Sequence, residues 1–320
     1  MNKKKRILVT GAAGFIGSNL TGSLLNKENV QIIGLDNFDD FYSREQKKRN
    51  MSSFISNQDF SFFEGDIRNM DDLFALPEID VIVHLAAKAG VRPSILNPVL
   101  YQDVNVAGTQ NLLEFARQKE IKQFVFGSSS SVYGINKHVP WTEEEKLMPI
   151  SPYASTKLSC EMLGHVYSHL YGIRFLALRF FTVYGPAQRP DLAIHKFFDS
   201  ILKGDAIPVF GDGSTSRDYT FVEDTIQGIE AAIDYKNTDF EIINLGNRQT
   251  VTLSQLIEAI ENVCGKKAVV DRQPEQAGDV PQTYANIARA QKLLNYHPKT
   301  SLEAGLKAFY EWYLDNQKSI

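Results

Sequence analysis

Thr10-Gly11-Ala12-Ala13-Gly14-Phe15-Ile16-Gly17 follows directly on an apolar run, residues 6–10, and opens a helical pattern. Each glycine has a physical job in such a place. Gly11 permits a tight turn, Gly14 lets backbone approach a pyrophosphate, and Gly17 lets the new helix pack closely on a sheet. The phosphates then sit at the positive helix N-terminus, where Phe15 and Ile16 begin. A chain with 21 glycines produces some such spacing by chance, so the strand before and the apolar helix start after carry the weight. The next apolar run, Val30–Asp36, ends in an acid. A carboxylate there accepts hydrogen bonds from adenosine ribose hydroxyls and repels a 2′-phosphate, which favours NAD over NADP. The alternative is a structural turn with Asp36 as a helix cap.

Outward from that turn, residues 60–64, 80–85, 123–128 and 175–180 are further short, continuously apolar runs, separated by helical periods such as 104–119. Runs of this kind suit a parallel sheet covered on both faces, and their alternation with helices implies βαβ units in a doubly wound α/β fold. After residue 180 the segments shorten, with turn clusters at 210–214 and 273–275 and helical stretches at Leu253–Cys264 and 287–294. The expected organisation is a nucleotide-binding domain over 1–180 and a smaller mixed α/β domain over 181–320, the chain crossing between them more than once.

The 320 residues are 43% hydrophobic with a formal charge of −4, enough apolar material for a sizeable core and an unpromising balance for nucleic acid. Residues 1–6 are basic, but the apolar stretch that follows is too short for a signal peptide or a membrane span. Cys160 and Cys264 are far apart and have no metal-ligand spacing around them, and the six histidines do not cluster. The expectation is a cytoplasmic protein with no metal site and no membrane partner.

Tyr153-Ala154-Ser155-Thr156-Lys157 places a phenol and an ammonium four residues apart, on one face if helical. A nearby lysine cation favours phenolate and would pull the tyrosine down towards the range of a general base. Thirteen tyrosines make one such spacing expected by chance, and Tyr133 to Lys137 is a second. Context separates them: Tyr133 precedes a glycine in a turn, whereas Ser151-Pro152 before Tyr153 is a good helix start. Upstream, the apolar run at 123–127 leads into Ser128-Ser129-Ser130-Ser131, hydroxyls at the carboxyl end of a predicted strand, where ligands bind in such sheets.

Taken together with Gly65-Asp66-Ile67, His84-Leu85-Ala86-Ala87, Arg179-Phe180-Phe181, Arg217-Asp218 and Gly278-Asp279, these stretches resemble the extended short-chain dehydrogenase/reductases, and within them the nucleotide-sugar epimerases. The resemblance spans nearly the whole chain. It implies a catalytic Ser129, Tyr153 and Lys157, with NAD lying along Gly11, Gly14, Phe15, Ile16, Gly17, Asp36, Asn37, Asp66, Ile67, Leu85, Ala86, Ala87, Lys88, Asn105 and Phe180. Lys157 would hold the nicotinamide ribose. Arg217 and Asp279 would face a uridine diphosphate, with Arg272 or Arg92 the candidates for a second diphosphate contact, because Gln276 stands near the place where many relatives have arginine.

Three reactions in that family share an oxidation at C4 of the sugar. Dehydratases carry an Asp-Glu pair after the catalytic Ser or Thr, and decarboxylases usually a Glu two residues after it; here Ser130 and Ser131 follow Ser129. That pattern implies 4-epimerisation. The stretch from Phe180 through Thr182 to Arg189 looks like UDP-glucuronate 4-epimerases, with Ser130, Ser131, Thr182 and Arg189 as donors to a sugar carboxylate. A UDP-glucose or UDP-N-acetylglucosamine 4-epimerase is the alternative; a decarboxylase, a dehydratase, a dehydrogenase that exchanges its NAD and a non-catalytic NAD-binding protein fit less well. The resemblance also implies a homodimer, with helices near 104–119 and Pro152–Tyr171 as candidates for its interface.

Overall fold

The computed structural model describes residues 3–274 and 280–317. Strands β1 (Lys5–Thr10), β2 (Val30–Asp36), β3 (Phe60–Glu64), β4 (Val81–His84), β5 (Gln123–Ser129) and β6 (Arg174–Phe180) are the six apolar runs read above. Short strands follow: β7 (Thr182–Tyr184), β8 (Ala206–Phe210), β9 (Ser216–Arg217), β10 (Tyr219–Phe221), β11 (Phe240–Leu245), β12 (Val251–Thr252) and β13 (Val269–Gln273). One seven-stranded sheet runs in the order β11-β6-β5-β4-β1-β2-β3, every pairing parallel. Successive residues of each strand enter different cores. Ile7 and Val9 pack on one face and Leu8 on the other; Val125 faces away from Phe124 and Phe126. That is the period-two alternation of a strand whose two faces are both buried.

The helices are α1 (Phe15–Leu24), α2 (Arg44–Met51), α3 (Met70–Phe74), α4 (Val91–Leu96), α5 (Pro98–Tyr101), α6 (Gly108–Gln118), α7 (Pro152–Tyr171), α8 (Ala193–Lys203), α9 (Val222–Asp234), α10 (Leu253–Cys264), α11 (Ala288–Leu294) and α12 (Leu302–Gln317). α7 starts as its sequence indicated: Ser151 accepts a hydrogen bond from the Ala154 N–H, and Pro152 occupies the first turn. The single helix expected over 104–119 is instead a π-helical turn, Gln102–Ala107, running into α6. The wider turn carries Asn105 inward, 2% exposed. None of the described helices is long and apolar enough to cross a membrane.

The seventh strand, β11, was not legible as part of the sheet. It pairs with β6 from Phe240↔Phe175 to Leu245↔Phe180, so the chain returns to the sheet after residue 180. Strand order reverses at β1 and β4, which opens a crevice at their carboxyl ends, the usual ligand position in such sheets.

Phe175 links the strands at the end of the sheet. It stacks on Phe124 at 5.3 Å and on Phe240 at 6.2 Å and is fully buried. Phe175→Ala is expected to cost about 3–5 kcal/mol of stability, read from urea unfolding; a loss under 1 kcal/mol would show that β11 does not depend on this stack.

Candidate active site

The glycine turn has the expected form with one difference. Gly11 sits at φ 72°, and a Cβ there would lie 2.9 Å from the Ala86 backbone nitrogen, so both its conformation and its neighbours exclude a side chain. A Cβ on Gly17 would lie 2.1 Å from the Gly11 carbonyl oxygen. The third glycine therefore lets α1 close on the turn itself, not on the sheet. α1 begins at Gly14 with no side-chain cap, and Gly14, Phe15, Ile16 and Gly17 all line the cavity beyond it. An uncapped N-terminus of this kind presents N–H groups to an anion.

Asp36 closes β2 at 8% exposure. Its oxygens accept the Ala13 N–H at 3.1 Å and the Phe38 N–H at 2.8 Å, which leaves lone pairs for hydroxyl donors. Burial raises its pKa, and the Lys47 ammonium opposes that shift. Asn37 donates to Asp66, whose carboxyl is held down at about 2, chiefly by the Arg68 side chain.

Ser129, Tyr153 and Lys157 meet at the carboxyl end of β5 and line the same cavity, of about 520 Å3. The Ser129 hydroxyl accepts the Ser131 N–H at 3.2 Å and the Ser131 hydroxyl at 2.9 Å. With its acceptor capacity so used, its one proton is left to donate. The Tyr153 phenol beside it is pushed up by burial, while the Ser129 hydroxyl and the charge of Arg189 pull it down.

Lys157 does not bring Tyr153 below its ordinary range as the spacing suggested. Its ammonium donates to the Gly127 carbonyl at 2.6 Å and lies 4.7 Å from the Phe126 ring centroid, against 6.0 Å for the Tyr153 ring. Desolvation of a buried phenolate outweighs a cation turned towards the strand. Burial lowers Lys157 itself to about 8.

Most residues singled out above converge on this cavity: the three glycines, Phe15, Ile16, Asp36, Asn37, Asp66, Ile67, residues 85–88 and Phe180, then Ser130, Ser131, Thr182, Arg189 and Arg217. Asn105, Arg92 and Arg272 do not line it. The Asn105 amide donates to the Lys88 carbonyl and to Thr156 and accepts the Lys88 N–H, so it clamps the loop after β4 and is turned away from any ligand. Arg92 is exposed and lies over the Phe210 ring at 5.2 Å. Asp279 and Gln276 lie outside the described residues. Arg189 enters the cavity already forked onto Asp191 through two bonds of 2.9 Å, with the Phe41 ring centroid 5.2 Å away.

The loop after Asp36 was missed. Asp39, Phe41, Tyr42 and Lys47 line the cavity, and Lys88 reaches Asp39 at 2.7 Å. Its position just beyond a strand end, at the crevice, was the available signal.

The chain matches the family model described as GDP-mannose 4,6 dehydratase over residues 8–309. It is 41% identical to a UDP-glucuronate 4-epimerase of Thermodesulfobacterium geofontis (strain OPF15), covering 98% of this chain and 97% of that one. The crystal structure of UDP-glucuronic acid 4-epimerase from Bacillus cereus, in complex with UDP-glucuronic acid and NAD, superposes with a TM-score of 0.92 at 38% identity, covering 97% of this chain and 99% of that one. UDP-glucose 4-epimerase from Thermotoga maritima, with UDP-glucose, superposes with a TM-score of 0.89 at 32% identity, covering 98% and 99%.

Lys157 offers a direct check on the site. Its ammonium, followed by lysine 13Cε NMR, is expected to titrate near pH 8 in the protein free of small ligands, below its ordinary 10.5. Between those values the unfolded chain binds the additional proton, so this group makes stability rise with pH across the window. A midpoint above 10 would mean that the ammonium is not desolvated. The common fold, full-length coverage and intact Ser129–Tyr153–Lys157 cluster leave one assignment: the chain belongs to the family of the GDP-mannose 4,6 dehydratase model, the extended short-chain dehydrogenase/reductases that include the UDP-sugar 4-epimerases.

Proposed function

We propose that this protein is an NAD-dependent UDP-sugar 4-epimerase, an isomerase that interconverts UDP-glucuronate and UDP-galacturonate through a transient 4-keto sugar. The observation that carries the reading is the wall around Tyr153. Among the described lining residues the carboxylates are Asp36, Asp39 and Asp66, all from the end of β2 and the segments after β2 and β3. Around Tyr153 stand the hydroxyls of Ser129, Ser130, Ser131 and Thr182 and the guanidinium of Arg189. Elimination across C5–C6 needs a carboxylate acid and base near the sugar, and neither these hydroxyls nor a guanidinium can act as either.

The uncapped α1 terminus, the Gly11 and Gly17 cradle and Asp36 fit a dinucleotide and would hold NAD. Bound NAD supplies the acceptor, and then the donor, for the C4 hydride. Tyr153, in the phenolate form that the Ser129 hydroxyl and the Arg189 charge favour, takes the 4′-hydroxyl proton and returns it after the sugar presents its other face. Ser129 steadies that oxygen, because its donor proton is free to reach it. Lys157, anchored on the Gly127 carbonyl, has two N–H groups left for the nicotinamide ribose. Arg217 and the Thr283 side of the cavity take the uridine diphosphate. Ser130, Thr182 and the N–H groups of Arg189 not committed to Asp191 hold the C5 carboxylate, whereas Ser131, named with them from the sequence, gives its proton to Ser129. Bonds of this kind to a charged group contribute about 1.5–3 kcal/mol each, enough to select the acid over a neutral sugar and to restrain the β-keto acid from losing carbon dioxide.

Purified protein without added NAD is expected to convert UDP-glucuronate to UDP-galacturonate by NMR and to leave UDP-glucose and UDP-N-acetylglucosamine unchanged. Arg189→Ala should lower kcat/KM for the acid roughly ten- to hundredfold. Turnover of the neutral sugars alone would keep the mechanism and remove the carboxylate pocket; a UDP-pentose with carbon dioxide would overturn epimerisation.

The chain works in the cytoplasm as a homodimer. Both cysteines are free, in keeping with a reducing compartment. Leu96 and Val99 are 81% and 79% exposed on α4 and α5, which pack beside α7 with its exposed Met162, Val166 and Leu170. Apolar side chains exposed in this way on helices packed together fit a second copy of the chain. The apolar residues of α6, by contrast, are buried within the subunit. Light scattering should give twice the chain mass, falling to one chain in Val99→Lys/Val166→Lys; an unchanged mass in that variant would place the interface elsewhere.

A further inference from the structure

Tyr153, Lys157 and Glu161 follow one another at four-residue intervals on α7, and the third of these has no part in the chemistry described above. Glu161 is fully buried. Its carboxylate accepts two parallel bonds from Arg179, from Nε at 2.9 Å and Nη2 at 2.8 Å, and a third from the Ser128 hydroxyl at 2.6 Å. Arg179, 1% exposed, spends Nη1 on the Tyr133 hydroxyl at 2.9 Å. Ser128 and Arg179 are register partners of β5 and β6, so both present their side chains to α7 from one face of the sheet.

The result is a ladder between one helix face and the end of one strand. Glu161 is tied to Ser128 and Lys157 to the carbonyl of Gly127, and Tyr153, one turn before Lys157, stands beside Ser129. A buried ion pair is weak ground for stability, since an apolar pair of similar volume holds a fold as well. What an apolar contact lacks is direction: it tolerates sliding of a helix along a strand, whereas a fork of two parallel N–H···O bonds does not. The pair also reaches the other wall. Tyr133 donates to Asn244 at 2.7 Å, Asn244 donates to the Trp141 carbonyl at 2.9 Å, and Trp141 lines the cavity.

We infer that Glu161, clamped by Arg179, is a positioning residue for the reaction: through Ser128 it sets the register of α7 on β5, and so the approach of Tyr153 and Lys157 to Ser129. The inference rests on the epimerase reading for its kinetic test. Glu161→Leu/Arg179→Met removes the pair without stranding a charge. It is expected to keep its circular dichroism and its KM for UDP-glucuronate within twofold, while kcat falls at least tenfold. Glu161→Gln, which keeps an acceptor for Ser128, should recover part of that loss. Ser128→Ala, which leaves the ion pair in place, should lower kcat three- to tenfold with no change in thermal midpoint, and decides the matter if the double variant does not fold. A double variant, or Ser128→Ala, with kcat within twofold of the parent would overturn the inference. Turnover separates the two failures: a parent protein that converts no UDP-sugar removes the epimerase reading, whereas an active parent beside variants within twofold of it removes the coupling argued here.

Discussion

The ammonium of Lys157 donates to the carbonyl of Gly127 at 2.6 Å in a side chain that is 4% exposed. A cation so deep must be hydrogen-bonded, and the strand end supplies the acceptor because the β-ladder is running out there. The rest of the site depends on that contact. It brings the first turns of α7 against the last residues of β5, so a phenol from a helix and a hydroxyl from a strand share one crevice. Both faces of the sheet are sealed by apolar cores, which leaves the strand ends as the place where polar side chains can gather without stranding buried donors.

The cavity is electrically divided. On the β2 side, acids and bases alternate: Asp36 beside Lys47, Lys47 on the Asp39 carbonyl, Lys88 on the Asp39 carboxylate, and Asn37 and Arg68 on Asp66. Each acid has a partner, so the surface reads hydroxyl donors without gathering net charge. On the Tyr153 side the groups are neutral hydroxyls and two cations, Arg189 and Lys157. Low dielectric strengthens whatever charge enters there, which suits a substrate that brings its own carboxylate and must be kept from side reactions. Arg189 is restrained by Asp191 and by Phe41, so it offers part of its donor set in a fixed direction.

The fold class, six of the seven sheet strands, the glycine turn and the start of α7 were legible in the sequence because each is set by neighbours in the chain. Period-two burial, a turn at positive φ and a Ser-Pro cap are local constraints. Ser129, Tyr153 and Lys157 were legible through spacing and context, though the effect of Lys157 on Tyr153 was not. That effect depends on where the ammonium points, and the pointing is decided by a carbonyl thirty positions away. Asn105 misled for the same reason: an amide suited to a ligand is used within the protein, on Lys88 and Thr156.

The sequence by itself determined which backbone conformations were available and which side chains were chemically able to do the work. Gly11 needs its turn whatever surrounds it, and a run of serines after a strand presents hydroxyls at that end. Tertiary structure alone decided that β11 joins the sheet, that the loop carrying Phe41 and Tyr42 lines the cavity, and that Arg189 meets the Phe41 ring there. These are contacts, or exposures to a shared space, between segments that the chain order does not make neighbours, and their free energy comes from desolvation and hydrogen bonding in the assembled interior. No local pattern records that energy, because it exists only once the partners have met.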